Sequence, residues 1–231
     1  MSETIIPKTF HQIWMGDTTP STLTDSRLDC YYKKWHNSWL QKNPDWEFKI
    51  WDDERVKWFT FRKPRLKRLL ESCESFSEKS DLLRFHILYR FGGVYIDTDF
   101  ECLRGIDSLL KGKSFVICKE TPRKLCGAFL ASTPRHPHLK KLIDSSWNRD
   151  RSLTADWKYG PWFVTQNLGV ECGEEDGIGS DTKKVFPYGY QEMWRCHEDF
   201  SKTHPEAYAA HHWMFSWSNS GKHHGQEKFW Y

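Results

Sequence analysis

The sequence predicts a single α/β domain, and three observations support that fold class. The 231 residues are enough for one domain with a full hydrophobic core. Residues 5–14 and 46–51 alternate in the manner of strands and are separated by a helical segment at 28–40. A long apolar helix at 77–90 then stops at Gly92-Gly93 and leads directly into a β-branched and aromatic strand. We assign residues 1–231 to this domain, with residues 222–231 as a tail.

The first strand ends at a tryptophan in a place where α/β proteins bind ligands. Residues 5–14 alternate so that Phe10, Gln12 and Trp14 share one face of the strand. Nucleotides bind beyond the carboxyl ends of such strands. Trp14 is therefore a candidate for stacking on a base, and the alternative is a tryptophan of the core.

The segment 55–68 is basic and aromatic. It contains seven Lys or Arg residues and no acidic residue, together with Trp58, Phe59 and Phe61. Such a segment could contact an anionic membrane surface or an acidic acceptor. Peripheral membrane contact through residues 55–68 is one prediction, and a solvated helix face is the alternative.

Two carboxylates follow the central strand. If the backbone stays extended through Asp99, then Tyr95, Asp97 and Asp99 lie on one side, and Val94 and Ile96 point into the core. Neighbouring acids repel one another unless a cation lies between them, and Mg²⁺ and Mn²⁺ favour carboxylate oxygens. The pair predicts a metal site at the strand end. The alternative is an Asp-rich turn that only caps the strand.

The helix before this strand carries a second pair of charges. Asp81 and Arg84 are three residues apart on the helix at 77–90 and share a face. An exposed ion pair of this kind contributes little to stability. On a buried helix that leads into two aspartates, however, Arg84 is suited to binding phosphate, and Asp81 could accept hydrogen bonds from sugar hydroxyls.

The second half of the chain continues the alternation of strands and helices. Thr165, close to the start of a helix that begins at Gly160-Pro161, is a candidate contact for an anion or a sugar. The other expected elements are strands at 114–118 and 127–131, a helix opened by His136 and His138, a surface loop at 171–181, and an edge strand at 185–188.

A final strand is expected within residues 208–217, which contain two adjacent histidines. Either His211 or His212 could complete an octahedral metal shell begun by the two aspartates. A neutral imidazole suits Mn²⁺ better than Mg²⁺. The alternative is a structural role for both histidines.

Composition excludes several classes of protein. The formal charge of +3 argues against nucleic acid as a partner, whereas the 13 Trp residues suit sugars or bases. Seven Cys residues without a C-x-x-C pair argue against a zinc framework and favour a reducing compartment. We find neither an apolar run of about 18 residues nor the apolar core of a signal peptide, so we expect a soluble, cytoplasmic protein.

Six motifs together resemble glycosyltransferase family 32, the family with the DxD sugar-binding region. The resemblance runs from Ile5 to Trp217, and more remotely the chain is similar to the glucosylating domain of large clostridial toxins. The motifs are Ile6-Pro-Lys-x-x-His-Gln-Ile-Trp14, Asn43-Pro-Asp-Trp46, Ser80-Asp-x-x-Arg84, Gly92-Gly-Val-Tyr-Ile-Asp-x-Asp99, Gly160-Pro161, and His211-x-Trp followed by Ser216-Trp217.

The resemblance implies a GT-A fold, which is a single Rossmann-like domain with a mixed central sheet. It also implies a UDP- or GDP-hexose donor, a divalent metal (Mn²⁺ or Mg²⁺), and transfer with retention of anomeric configuration. The acceptor would be a glycan, a glycolipid or a glycoprotein.

The resemblance also implies roles for individual residues of this sequence. Asp81 and Arg84 match contacts to the donor sugar, Tyr95 and Asp97 match the nucleotide and ribose side, and Asp99 matches the direct metal ligand. The remaining matches are Trp14 for base stacking, His211 for the metal together with Asp97 and Asp99, and Ser216 and Trp217 for the segment that closes over the pyrophosphate. The family often has Asn just before the strand that reads Cys126-Gly127-Ala-Phe-Leu-Ala-Ser132 here, and its absence removes one expected contact.

The expected chemistry is stabilisation of a departing diphosphate by the metal site and Arg84. No residue stands out as a covalent nucleophile, so attack of the acceptor from the front face is favoured. Two other functions fit the same residues: a non-catalytic carbohydrate-binding protein that keeps the donor fold, and a nucleotidyltransferase.

Overall fold

The computed structural model describes residues 5–16, 30–121, 123–150, 152–170 and 200–212. These residues form a five-stranded central sheet flanked by helices and a separate two-stranded sheet. In chain order the elements are β1 (Thr9–Ile13), α1 (Cys30–Lys42), β2 (Glu47–Trp51), α2 (Asp53–Thr60), α3 (Pro64–Glu71), α4 (Phe76–Phe91), β3 (Gly93–Ile96), β4 (Phe100–Cys102), α5 (Asp107–Leu110), β5 (Phe115–Thr121), β6 (Lys124–Ser132), α6 (Pro137–Ser146), α7 (Ala155–Lys158), α8 (Pro161–Leu168), α9 (Phe200–Thr203) and β7 (Ala209–His211).

The central sheet is mixed, as predicted. Its strand order is β2-β1-β3-β6-β5, with β1 parallel to both β2 and β3, and with β6 antiparallel to β3 and β5. Helices α1 and α4 belong to the connections between the three parallel strands, which is the usual way to join parallel neighbours. The carboxyl ends of β1, β2 and β3 therefore lie along one edge of the sheet.

Both faces of the central sheet are covered, because apolar side chains project to both sides of β3. Val94 and Ile96 pack on one face with Phe10 and Phe129. Tyr95 packs on the other face in the cluster that includes Leu82, Leu83 and Leu88 of α4. Helix α4 is apolar around most of its circumference, which is typical of a helix that is buried on several sides.

The predicted elements are present with shifted ends. Helix α4 begins after Ser75, whose hydroxyl accepts a hydrogen bond from the Glu78 backbone N–H, and ends at Gly92 with a φ of 66°. The basic segment 55–68 forms two helices, because Pro64 begins a new helix instead of continuing the first. Strand β4 was not predicted. The predicted loop at 171–181, edge strand at 185–188 and tail at 222–231 lie outside the described residues.

The hydroxyl of Thr165, a predicted ligand contact, has two partners within the protein. This hydroxyl donates to the Pro161 carbonyl at 2.7 Å and accepts from the Leu125 backbone N–H at 2.9 Å. Thr165 therefore ties α8 to β6. His136 and His138 open α6 as expected, since the His136 side chain accepts a hydrogen bond from the His138 backbone N–H.

Within the residues that the structure describes, no helix combines the length and apolar character needed to cross a bilayer.

Cys73, Cys102, Cys118 and Cys126 are free thiols, and burial raises the pKa of Cys73 and of Cys102 to about 12. These two thiols are therefore protonated at neutral pH.

Gly93 is where β3 comes closest to β1. Its φ is 94°, and a Cβ at this position would overlap the Thr9 carbonyl oxygen and lie 3.1 Å from His11 Nε2. His11 Nε2 contacts the Gly92 carbonyl at 3.0 Å, while Nδ1 accepts from Trp51 Nε1 at 3.1 Å. Burial lowers the pKa of His11 to about 4, so this imidazole is neutral and bridges two strands and a helix end.

We predict that Gly93→Ala lowers the free energy of unfolding by about 3 kcal/mol or more, because it combines a strained φ with a backbone overlap. Gly169→Ala is the matched control. Its φ is 78°, but a Cβ there meets nothing within 4 Å, so only the strain of about 1–2 kcal/mol remains. Urea denaturation of both variants measures the difference, and equal losses would contradict the close approach of the two strands.

Candidate functional site

The two aspartates lie where β3 leaves the central sheet. The Asp97 backbone N–H donates to the Ala128 carbonyl at 2.9 Å, and the Phe100 N–H then donates to the Asp97 carbonyl at 3.2 Å. Residues 98–99 thus form a turn, so the expectation of an extended backbone through Asp99 is wrong. The turn delivers the fully buried Phe100 to the core, where its carbonyl accepts from Trp39 Nε1 at 2.9 Å.

This turn brings the predicted metal ligands together. One ligand atom each from Asp97, Asp99 and His211 lies within 4.8 Å of the others. His211 comes from β7, directly opposite Phe100 on β4, and its ring stacks on that phenyl ring with 4.4 Å between centroids. His211 Nε2 lies 3.2 Å from Asp99 Oδ1. Two segments more than 100 residues apart therefore complete one cluster.

The donor atoms in this cluster fit a divalent cation. Two carboxylates and one imidazole form a mixed oxygen and nitrogen set that suits Mn²⁺ and is acceptable to Mg²⁺. The side chains are partly or largely buried, with exposures of 28% for Asp97, 14% for Asp99 and 5% for His211. A cation held here would also reduce the repulsion between the two carboxylates.

His212 faces a different set of partners. Its Nε2 lies 3.1 Å from Glu101 Oε2, and its ring stacks on Trp35 with 4.2 Å between centroids. Burial lowers the pKa of His212, despite the neighbouring Glu101. Of the two adjacent histidines, it is His211 that points towards the aspartates.

Arg84 links two predicted site residues, Asp81 and Asp97. Its Nη2 is 2.6 Å from Asp81 Oδ1 and 3.4 Å from Asp97 Oδ1. Its guanidinium also covers the Tyr95 ring, with Cζ 4.4 Å from the ring centroid. A Cβ on Gly127 would lie 3.1 Å from Arg84 Nη1, so a glycine on β6 leaves the space that the guanidinium occupies.

Tyr95 orients the Asp97 carboxylate through a hydrogen bond. The tyrosine is 2% exposed, and its hydroxyl donates to Asp97 Oδ1 at 2.6 Å. Burial raises the pKa of Tyr95 well above its ordinary value, so the hydroxyl keeps the proton that it donates. The ring itself is in the core, and any contact of Tyr95 with a nucleotide would go through its hydroxyl.

Carboxylates outnumber cations around Arg84. Burial raises the pKa of Asp81 to about 7, and although Arg84 opposes this, the charges of Asp97, Asp156 and Glu78 add to it. Burial alone would lower the pKa of Arg84, but Tyr95, Asp81 and Asp97 raise it overall, so the guanidinium stays charged. Glu78 and Asp156 have lysine partners, Lys158 and Lys124, whereas Asp81 and Asp97 share the single guanidinium of Arg84.

The structure places the remaining predicted residues as follows. Trp14 is half-buried at the carboxyl end of β1, with its ring edge-on to Tyr32 at 5.3 Å between centroids. This position is compatible with base stacking, which stays a prediction. Ser216 and Trp217 lie outside the described residues.

Sequence reasoning missed two residues near the cluster. Gln12 Nε2 donates to the Asp97 carbonyl at 3.3 Å, and its Oε1 contacts His36 Nδ1 at 3.3 Å. Its place on the Trp14 face of β1 was the available signal. Glu120, paired with Lys124 at 2.9 Å on the β5–β6 hairpin, interacts electrostatically with His211. No local pattern marks Glu120, because only the strand pairing brings it to this edge.

Comparison with known sequences identifies relatives that are named as glycosyltransferases or as enzymes of glycolipid synthesis. Residues 29–116 match the family described as glycosyltransferase sugar-binding region containing DXD motif. Over 169 residues the chain is 32% identical to mannosyl phosphorylinositol ceramide synthase CSH1 of Saccharomyces cerevisiae, a match that covers 70% of this chain and 42% of that protein. It is 28% identical to the human alpha-1,4-N-acetylglucosaminyltransferase, over 64% of this chain and 50% of that enzyme. The chain thus spans about two fifths to one half of these relatives.

Solved structures support the fold. The PaToxG glycosyltransferase aligns with a TM-score of 0.53 at 20% identity, covering 71% of this chain and 68% of that one. The UDP-bound glycosyltransferase domain of the YGT toxin aligns with a TM-score of 0.54 at 11% identity, covering 77% of this chain and 79% of that one. The described residues therefore have the GT-A fold, and the predicted resemblance is confirmed by the match of residues 29–116 to the sugar-binding region with the DXD motif.

Proposed function

We propose that this protein transfers a hexose from a UDP- or GDP-sugar to a hydroxyl group of a saccharide-bearing acceptor, with retention of anomeric configuration. The observation that carries this proposal is the convergence of Asp97, Asp99 and His211 within 4.8 Å, beside the buried Arg84. The family match supports a nucleotide-sugar donor, and so does the UDP bound to the toxin domain that shares this fold.

Asp97, Asp99 and His211 would hold the divalent cation. When bound, the cation supplies positive charge that offsets the negative charge developing on a departing diphosphate. Tyr95 fixes the orientation of Asp97 through its 2.6 Å hydrogen bond, and the stacking of His211 on Phe100 fixes the imidazole plane. The ligands are thus oriented by packing before a donor binds, which lowers the cost of reorganisation.

Arg84 and Asp81 would contact the donor. Arg84 is a permanent cation whose Nε donates to the Ser80 carbonyl and whose Nη2 contacts Asp81 and Asp97, so not all of its five N–H groups are used. The spare donors suit a phosphate or a sugar hydroxyl. Asp81 shares Arg84 and can accept a hydrogen bond from a hydroxyl of the hexose.

The acceptor hydroxyl would attack from the face that the diphosphate leaves. No side chain among the described residues stands out as a covalent nucleophile, and we therefore propose a front-face reaction. The curated relatives include enzymes named for inositol phosphoceramide and lactosylceramide. A glycolipid or a glycan is therefore the proposed acceptor class.

We predict that Asp99→Asn lowers the rate of nucleoside diphosphate release by at least about 100-fold, since an amide supplies no charge to hold a cation. The assay is incubation with a panel of UDP- and GDP-hexoses and Mn²⁺. Asp144→Asn is the control, because Asp144 makes an exposed ion pair with Lys140 away from the site. Wild-type turnover by a folded Asp99→Asn variant would refute the proposed role. Release of pyrophosphate in place of nucleoside diphosphate would identify a nucleotidyltransferase.

Arg84 can also be displaced without being replaced. We predict that Gly127→Ala lowers kcat by about tenfold or more, because its methyl group would lie 3.1 Å from Nη1 and 3.4 Å from Cδ of Arg84 and push the guanidinium aside. Arg84→Lys, which keeps the charge but loses the planar fork, should lose kcat similarly. Thermal unfolding of both variants separates this effect from loss of the fold. A Gly127→Ala enzyme with unchanged kcat would show that the position of Arg84 is not critical.

A further inference from the structure

Two large aromatic side chains at the carboxyl end of α2 are exposed to solvent. Trp58 is 75% exposed and Phe61 is 79% exposed. The Phe61 backbone N–H donates to the Trp58 carbonyl at 3.2 Å, so the two residues are one turn apart at the end of α2. With the exposed basic side chains around them they form what we call the basic-aromatic surface, which consists of Arg55, Lys57, Trp58, Phe61, Arg62, Arg65, Lys67 and Arg68.

This surface is rigidly supported from below. Phe59, Leu66 and Leu70 on the inner side of the same helices are 2–7% exposed and belong to the main core cluster. The Phe59 ring lies 5.3 Å from that of Trp51 and 6.0 Å from that of Phe91, centroid to centroid. Trp58 and Phe61 therefore point outwards because the inner faces of their helices are fixed in the core.

The charge of this surface is strongly biased. Residues 55–68 contain seven basic and no acidic residues, and since the whole chain carries only +3, the remaining residues carry a net charge of −4. In the described part of the chain, Lys67 has an acidic partner, Glu71 at 3.8 Å, but neither Arg62 nor Arg68 has a carboxylate within 4.0 Å. A charge excess this local attracts an anionic partner.

We propose that the basic-aromatic surface docks the protein onto an anionic lipid bilayer. Aromatic rings that project from a helix end insert at the level of the lipid headgroups, and surrounding Lys and Arg side chains are attracted to anionic lipids. A merely solvated basic face explains the charges but not the two exposed rings. Docking goes beyond the proposed transfer reaction and does not require it.

The test is sedimentation of the protein with two kinds of vesicle, phosphatidylcholine alone and phosphatidylcholine mixed with phosphatidylserine. We expect binding at least about tenfold stronger to the anionic vesicles, weakening at high salt. Trp58→Ala with Phe61→Ala, and separately Arg62→Glu with Arg68→Glu, should each reduce that binding by about tenfold or more. Because all four side chains are exposed, these variants should fold normally.

Two controls isolate the surface. Lys33→Glu with Lys111→Glu makes the same change in net charge at exposed positions elsewhere, and Phe76→Ala removes another partly exposed aromatic ring. Both should bind anionic vesicles as the wild type does. Equal binding to the two kinds of vesicle, or an equal loss in the controls, would overturn the proposal. So would binding to single-stranded RNA that is tighter than binding to the anionic vesicles and needs both rings, or self-association that depends on Trp58 and Phe61.

Docking and transfer can fail separately in this design. The vesicles contain no sugar acceptor, and diphosphate release is measured in parallel with a soluble acceptor. Surface variants should keep that release, because the basic-aromatic surface contains none of the proposed donor-binding residues. A surface variant that no longer binds vesicles but still releases nucleoside diphosphate would therefore show that the basic-aromatic surface acts in docking and not in transfer.

Discussion

The geometry of the candidate metal site depends on carboxylates that are held close together where β3 leaves the central sheet. Asp97 and Asp99 lie beside one another and Asp81 is near, and burial raises the pKa of Asp81 to about 7, with the charge of Asp97 adding to the effect. Arg84 is the cation that the protein itself provides, and it contacts only two of them. Asp99 lies outside the contacts of Arg84 and faces His211, which is the arrangement from which we propose a divalent cation as the further positive charge.

Several elements are arranged around this electrostatic requirement. Helix α4 carries Arg84 to the rear of Asp97, and Gly127 on β6 leaves room for the guanidinium. The turn after β3 folds Asp99 back, and β7 pairs with β4 to bring His211 alongside. Each of these positions is fixed by backbone pairing or by core packing, so the site is built on the rigid part of the domain.

Much of the fold could be predicted because its signals are local. The apolar circumference of α4, the stop at Gly92 and the β-branched composition of β3 are all contained within some 20 residues. The proximity of Asp97 and Asp99 followed from their spacing alone. The mechanism of that proximity did not, since the turn at residues 98–99 is imposed by burial of Phe100 against distant residues.

The features that sequence reasoning missed depend on contacts between distant segments. His211 was predicted from the family resemblance, but its position beside Asp99 depends on the register of β7 on β4, which aligns His211 with Phe100. Thr165 resembles a ligand contact in sequence but is occupied by the Leu125 backbone, a partner 40 residues away. Alternation places Gln12 on the Trp14 face of β1, but its contact with the Asp97 carbonyl, like the position of Glu120, depends on strand pairing. Propensity and periodicity contain no information on such pairings.

The most direct test of the metal site is a Mn²⁺ titration followed by electron paramagnetic resonance, without donor or acceptor. The account predicts one bound ion per chain, with affinity lowered at least about tenfold in His211→Ala and unchanged in His212→Gln, whose amide can still hydrogen-bond to Glu101. Equal affinities of the wild type and a folded His211→Ala variant would contradict the assignment of Asp97, Asp99 and His211 as one metal centre.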